Sequence, residues 1–334
     1  MLLKNLKFVT RLPEERTFES TEWSVASPQM RFRARAGAEQ YQLIADVVQA
    51  IHVPGEFLCL HLTKDNFRTV VNRNHAGQGS EIIPSYASFD SEVLFFDYRI
   101  ESRADNQICL ECDPGQFLRA SRSVKKAPEV TFTLTRKNGL PRITLEAVMV
   151  NGVHVTQDIP VKVMKPEDFH ITEEPNVPPP EVRVMLPSDS TSLRAVVDKL
   201  KSFDKFVSVS ASVSGQLVLE STAPSLRIRT VYNGLVAKGA KGNSAGVDPG
   251  VSATPPPSVV QLLSKHLSLA LKCSTIRHDR MLFCLTTDEV CIVYMAIFNK
   301  AGVVTLYLPA CQREDDEIEG TQEVDDEDQE SDGM

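Results

Sequence analysis

The chain has 334 residues, 42% of them hydrophobic, and a formal net charge of −8, a length and composition that suit about two domains with ordinary cores. The charge is local: twelve acids against Arg313 place −11 on residues 313–334 and leave +3 on residues 1–312. The longest apolar stretch, "VCIVYMAIF" at 290–298, is about half of what a membrane-spanning helix requires, and seven cysteines without framework spacing fit reduced thiols rather than a secreted disulfide scaffold.

In chain order, residues 1–29 form an unplaced leader. Lys4 and Lys7 interrupt a signal-peptide core, and Glu14, Glu15, Glu19 and Glu22 are foreign to a transit peptide. From Met30, "MRFRARA" alternates apolar and basic residues as a half-buried strand does. A helix is expected over 38–51, where Tyr41, Ile44, Ala45, Val48 and Ile51 form an i, i+3, i+4, i+7 stripe. The β-rich runs "FLCLHLT" and "VLFFDYRI" follow. A second helix is expected over 113–126, with Asp113 as N-cap, Pro114 at the first helical position and Gln116 completing a capping box. "FTLTRKNGLPRITLEAVMVNGVHVTQDIP" then reads as three strands joined by Asn-containing turns. Residues 164–180, "MKPEDFHITEEPNVPPP", hold five prolines and several acids, a composition expected to exclude regular structure and make a linker.

The same order then recurs. "EVRVMLP" from Glu181 alternates as "MRFRARA" does, 151 positions later. A helix from residue 189 carries the stripe Leu193, Val196, Val197, Leu200 and Phe203, and "QLVLES" and "SLRIRTVY" are β-rich. The Gly/Pro/Ala-rich residues 234–257 are expected to be a mobile surface insertion. "SVVQLLSKHLSLALK" is expected to be a helix over 258–272, and "FCLT" at 283–286, again 151 positions after "FTLT" at 132–135, opens another three-strand segment. The period implies a duplicated α+β domain, residues 30–163 and 181–312, each copy with two helices packed on antiparallel sheets. Residues 313–334 are acidic and free of aromatics, and are expected to stay disordered because they cannot bury enough apolar area to offset the cost of ordering.

At 100° per residue the helix over 113–126 places Phe117, Ser121 and Val124 on one side and Arg119, Arg122 and Lys126 on the other. The helix from 189 groups Arg194, Lys201 and Lys205, diluted by Asp198, and the 258–272 segment groups Lys265 and Lys272. The helix over 38–51 is the exception, because Glu39 and Asp46 leave it negative. Basic faces at repeat-related positions, without interleaved aromatics, suit sequence-independent phosphate contacts better than base reading.

Motifs for chemistry are sparse. No phosphate-binding glycine loop, zinc-protease helix or nucleophile elbow occurs, and the histidines at 52, 61, 75, 154, 170, 266 and 278 lack ligand spacing. "CLEC", Cys109 to Cys112, invites a redox reading. Both thiols precede the helix that Asp113 caps, however, and that carboxylate disfavours a thiolate.

Two such units per chain, basic helix faces and no catalytic motif resemble a DNA sliding clamp. "MRFRARA", "LFFDYRI", "VTQDIPVKVMKPEDF", "EEPNVPPPEVRVMLP" and "VVTLYLPA" resemble the Hus-type subunit family of the heterotrimeric checkpoint clamp, the nine-one-one complex, over about residues 30–311. The linker and its flanking strands read differently from those of the homotrimeric replication clamp, proliferating-cell nuclear antigen. The leader, the insertion and the tail depart from the family pattern.

The resemblance implies a processivity-fold ring of three subunits and six similar domains, with helices lining the hole and sheets outside. Such a ring would be placed around double-stranded DNA in the nucleus by a clamp loader and would recruit checkpoint and repair factors. It would do no chemistry and need no cofactor, metal or membrane. The resemblance also implies that Arg119, Arg122, Lys126, Arg194, Lys201, Lys205, Lys265 and Lys272 face the duplex. Its subunits would join by pairing sheet edges, here the third strand of the first domain with Val153, Val155 and Ile159, and a strand of the second with Leu226, Ile228 and Tyr232. The linker is expected to cross outside the sheet and flank a groove for short partner peptides. The alternatives are a homotrimeric replication clamp and a thiol-based redox protein using Cys109 and Cys112.

Overall fold

The computed structural model describes residues 30–52, 57–71, 83–187, 190–223, 226–239 and 255–311. The leader 1–29, the tail 313–334 and residues 240–254 of the 234–257 insertion lie outside the described residues.

The first half runs β1 (Arg31–Gly37), α1 (Ala38–Ile51), β2 (Leu58–Leu62), β3 (Asn66–Val71), β4 (Ser85–Asp90), α2 (Ser91–Leu94), β5 (Asp97–Glu101), β6 (Ile108–Cys112), α3 (Pro114–Val124), β7 (Glu129–Lys137), β8 (Leu140–Val148) and β9 (His154–Val163). The second half repeats the order as β10 (Val182–Met185), α4 (Ser190–Phe203), β11 (Phe206–Ala211), β12 (Leu217–Ala223), β13 (Leu226–Tyr232), β14 (Ala237–Gly239), β15 (Ser258–Leu263), α5 (Ser264–Ala270), β16 (His278–Thr286), β17 (Val290–Ile297) and β18 (Gly302–Pro309). "FTLT" and "FCLT" hold matching places. Phe132 of β7 lies opposite Ala34 of β1, and Phe283 of β16 lies opposite Val184 of β10, each ring buried.

Local chemistry explains the elements. β1 buries Phe32, Ala34 and Ala36 and turns Arg31, Arg33 and Arg35 outward, the period-two pattern of a strand covered on one face. α1 buries Tyr41, Ile44, Val47, Val48 and Ile51. α3 starts where Asp113 Oδ1 accepts the Gly115 N–H at 2.7 Å, with proline at the first helical position.

All strands pair antiparallel. β14–β10–β16–β17–β18–β4–β3–β2–β6–β9–β8–β7–β1–β5 make one continuous sheet, and β13–β12–β11–β15 make a second. The two halves join where β18 pairs with β4, in the register Gly302 opposite Phe89 through Leu306 opposite Ser85. Gly302 is required there, because a Cβ would stand 2.2 Å from the Ser88 carbonyl oxygen. One hydrophobic core runs through both halves.

Four expectations are corrected. Residues 258–272 are not one helix: Ser258, Val260 and Leu262 are buried in alternation in β15, and helix begins only at Ser264, continuing as a 3-10 turn over Leu271–Thr275. The 234–257 insertion opens with β14, whose Lys238 lies opposite Arg183 of β10. The 164–180 linker contains a 3-10 helix, Pro166–Thr172, because Pro166 stands at the first helical position, where a missing N–H costs nothing, and Glu167 and Asp168 follow in the first turn. Phe203, assigned to the apolar stripe of its helix, is 50% exposed at the last turn.

Candidate functional site

The helices α1, α3, α4 and α5 form one layer. α1 packs beside α3 on one flank and beside α5 and the Leu271–Thr275 turn on the other, and α4 packs against that same pair. Each lays its apolar stripe on a sheet, so its polar stripe points away from the core.

On α3, Phe117, Ser121 and Val124 are buried while Arg119 and Arg122 are exposed; Lys126, expected on the helix, lies in the turn just past its end at Val124, exposed together with Lys125. Arg122 lies in the last turn, where a cation complements the helix dipole. On α4, Lys201 is exposed and Arg194 is half-buried. Arg194 reaches Asp198 at 3.8 Å, and that carboxylate also accepts from Ser268 Oγ at 2.6 Å. Lys265 stands on α5 and Lys272 on the 3-10 turn, both exposed. Lys205 lies past the end of α4, which stops at Phe203; its ammonium sits 5.5 Å from the centre of the Phe206 ring. Among the described residues no carboxylate pairs with Arg119, Arg122, Lys126, Lys201 or Lys272 within 4.0 Å.

Arg194 and Lys272, far apart in sequence, converge on a cleft of about 460 Å³ between the two halves, with Asp46, Gln49, His52 and Thr275. Sequence reasoning missed His52 and Gln49, because the cleft forms only when α1 meets the second half. Burial first, and then Lys272, hold the His52 imidazole below its usual range.

The second site consists of two strand edges. β9 pairs with β8 from His154 to Pro160, and among the described residues its other side is paired only at Val161–Val163, by β6. β13 pairs with β12 alone. Val153 is 51% exposed and Leu226 47% exposed, while Val155, Ile228 and Tyr232 are half-buried. Ile159 is a correction: it is 1% exposed, facing the core opposite Ile143, so only its backbone belongs to the edge. On the solvent face of β9, Asp158 accepts from Thr144 Oγ1 at 2.9 Å and pairs with Lys137 at 3.2 Å and Arg142 at 3.8 Å. Those contacts hold its carboxyl below the usual range, the Thr144 hydrogen bond contributing most.

The linker crosses the outer face of the large sheet. Phe169, Ile171 and Val177 pack on a second apolar cluster that includes Cys59, Val70, Tyr86, Met164, Ile292 and Tyr307. Thr172 bonds His61 Nδ1 at 2.7 Å, Gln107 meets His61 Nε2 at 3.2 Å, and Tyr307 donates to Glu174 at 2.5 Å. Of the thiols of "CLEC", Cys109 is buried in this cluster and Cys112 in the main hydrophobic core. Burial pushes Cys59 up to about 12 and raises Cys109 and Cys112 as well, which suppresses the nucleophilic thiolate.

Comparison with known proteins identifies the family and the fold. Residues 30–312 match the family model described as Hus1-like protein. The chain is 28% identical over 291 residues to "Checkpoint protein hus1" of Schizosaccharomyces pombe, covering 84% of this chain and 98% of that protein. It is 24% identical over 216 residues to "Checkpoint protein HUS1" of Homo sapiens, covering 62% of this chain and 74% of that one. Among solved structures, the proliferating cellular nuclear antigen of Entamoeba histolytica superposes with a TM-score of 0.64 at 11% identity, over 85% of this chain and all of that one. The proliferating-cell nuclear antigen of Thermococcus kodakaraensis superposes with a TM-score of 0.59 at 15% identity, over 83% of this chain and 99% of that one.

Proposed function

The chain belongs to the Hus1-like protein family, and on that premise we propose that it is one subunit of a ring-shaped checkpoint clamp completed by two other clamp subunits around double-stranded DNA. The single observation that supports this reading best is the strand junction. The chain's two halves are joined edge to edge by β18 on β4, and the strands that correspond to these two in the other half, β9 along His154–Pro160 and β13 along its whole length, each leave one side unpaired among the described residues. Repeating that junction between chains, β9 of one subunit on the β13 equivalent of the next, would give both open sides the hydrogen-bonding partner that strand addition provides and chain the subunits head to tail into a ring.

In that ring the helix layer would face the hole. Arg119, Arg122, Lys126, Arg194, Lys201, Lys265 and Lys272 are the phosphate contacts, with Lys205 at the rim. Such contacts hold DNA without reading its sequence and let the ring slide. A clamp loader would place it at damaged or stalled sites in the nucleus. The outer face, strapped by the linker, would receive checkpoint and repair factors, and the chain itself would do no chemistry.

The test is co-purification of the tagged chain from its own cells, with mass-spectrometric identification of what binds it. Two stoichiometric partners that each share the clamp fold are expected. Recovery of the chain alone or only with copies of itself would overturn the reading.

A further inference from the structure

The closed junction specifies what an open one must accommodate, because the two halves keep the same strand registers. Phe89 of β4 lies opposite Phe67 of β3, which lies opposite Leu62 of β2; Tyr232 of β13 lies opposite Leu217 of β12, which lies opposite Ala211 of β11. Tyr86 therefore corresponds to Arg229, and Pro84 to Arg227. On the other side of the junction, Thr286, Val290 and Pro309 form one cross-strand row, and Thr135, Arg142 and Pro160 form its counterpart. Thr305 therefore corresponds to Thr156, and Tyr307 to Asp158.

Inside the chain the outer row of the junction is aromatic: Tyr86 and Tyr307 meet edge to face at 5.7 Å. At the open edge the same row is cationic. Arg227 and Arg229 both lean on Glu220, at 2.7 Å and 3.7 Å, so two largely exposed guanidinium groups share one carboxylate. A second copy of this chain answers that surplus poorly. Its β9 would bring Thr156 opposite Arg229 and Asp158 opposite Arg227, and Asp158 is already shared by Lys137 and Arg142. Glu146 stands one strand further from the edge, opposite Thr156.

We propose that β13 is the charge-selective edge of this chain, and that its occupant is an edge strand of a different clamp subunit that presents carboxylates opposite Arg227 and Arg229. The inference rests on the clamp-subunit reading above and adds the chemistry of one partner. Complementary charge at such a row speeds encounter and rejects mismatched strands, while the apolar residues beneath, Ile228 and Tyr232, supply attraction that does not depend on charge. Against β9 of a second copy the arginine row finds only neutral Thr156 and an Asp158 already shared by Lys137 and Arg142, so that pairing is the weaker one.

The experiment uses the complete chain and the two subunits that co-purify with it. The association rate is measured across a salt series for wild type, R227A/R229A, R227E/R229E and I228A. Wild-type association should slow as salt rises. R227A/R229A should associate roughly tenfold more slowly at low salt and lose most of the salt dependence, the signature of steering charges. R227E/R229E should slow further and reverse its salt dependence, and I228A should dissociate faster with the wild-type salt dependence retained. Replacing the acids on the partner strand with lysine should restore assembly of R227E/R229E. Unchanged rates and salt dependence in R227A/R229A would overturn the proposal while leaving the clamp-subunit reading intact. A wild-type chain that assembles only with itself would overturn that reading and this inference together.

Discussion

Strands β18 and β9 hold the same place in the two halves and carry a proline at the corresponding position, Pro309 and Pro160, yet β18 is buried in a junction while β9 has one side unpaired up to Pro160. β18 presents Val304, Leu306 and Leu308 to the core, all nearly inaccessible, and its outer face adds Tyr307. The corresponding positions of β9 are Val155, Gln157 and Ile159, with Asp158 outside. β4 and β13 differ in the same sense, Tyr86 against Arg229. A junction that never opens can rely on apolar packing and a close backbone approach at Gly302. An edge that must stay soluble before it finds a partner keeps polar and charged groups on its outer row, the usual protection of an exposed strand.

The comparison is broken most severely at Gly302. Gly302→Val would drive a side chain into the Ser88 carbonyl and should cost about 3 kcal/mol or more, read as a large drop in the denaturation midpoint of the isolated chain. Val153, its counterpart on the open edge, tolerates Val153→Lys with an unchanged midpoint. Equal effects at the two positions would contradict the distinction between closed and open junctions.

At the open edges the expected effect moves from stability to assembly. Val155→Lys or Ile228→Lys should weaken ring formation by a factor on the order of 100 while shifting the stability of the free chain by less than about 1 kcal/mol. Comparable loss of free-chain stability would place these residues in the fold instead.

The helix face sharpens the picture from another side. Arg119→Ala, Arg122→Ala and Lys126→Ala should each lower the slope of log binding constant against log salt by about 0.9 for duplex DNA, without altering assembly. A slope that does not change would remove α3 from the DNA contacts.

The smallest effect concerns the linker strap. Burial, its largest cause, holds the His61 imidazole below the ordinary value, so His61 stays neutral in the fold while the unfolded chain protonates near pH 6.5. The stabilisation is complete above that pH and is lost as pH falls through the depressed folded value. His52 shifts in the same direction, so His61→Gln should flatten only part of the acid-side decline in a pH series of denaturation midpoints.

Much of this organisation was legible in the residues. The stripe of Tyr41, Ile44 and Val48 predicted α1 at its observed bounds, and the 151-residue offset of "FTLT" and "FCLT" located both terminal meanders. "SVVQLL" was misread because a short apolar run fits a strand or a buried helix equally well, and only its pairing with β11 decides. Lys205 was misplaced because the basic spacing continues past Phe203 although the helix does not. Ile159 could be assigned to a strand, but which face of that strand meets α3 depends on register. The β18–β4 junction and the cleft at His52 join segments too distant in sequence for any local pattern to reveal them.

The central claim is that β9 and β13 are halves of two different junctions, each completed by another subunit. Native mass spectrometry of the isolated chain and of the chain mixed with its co-purified partners tests it most directly. The account predicts a monomer alone and a single one-to-one-to-one assembly in the mixture. A stable trimer of the isolated chain would contradict it, because β9 and β13 would then be complementary to each other.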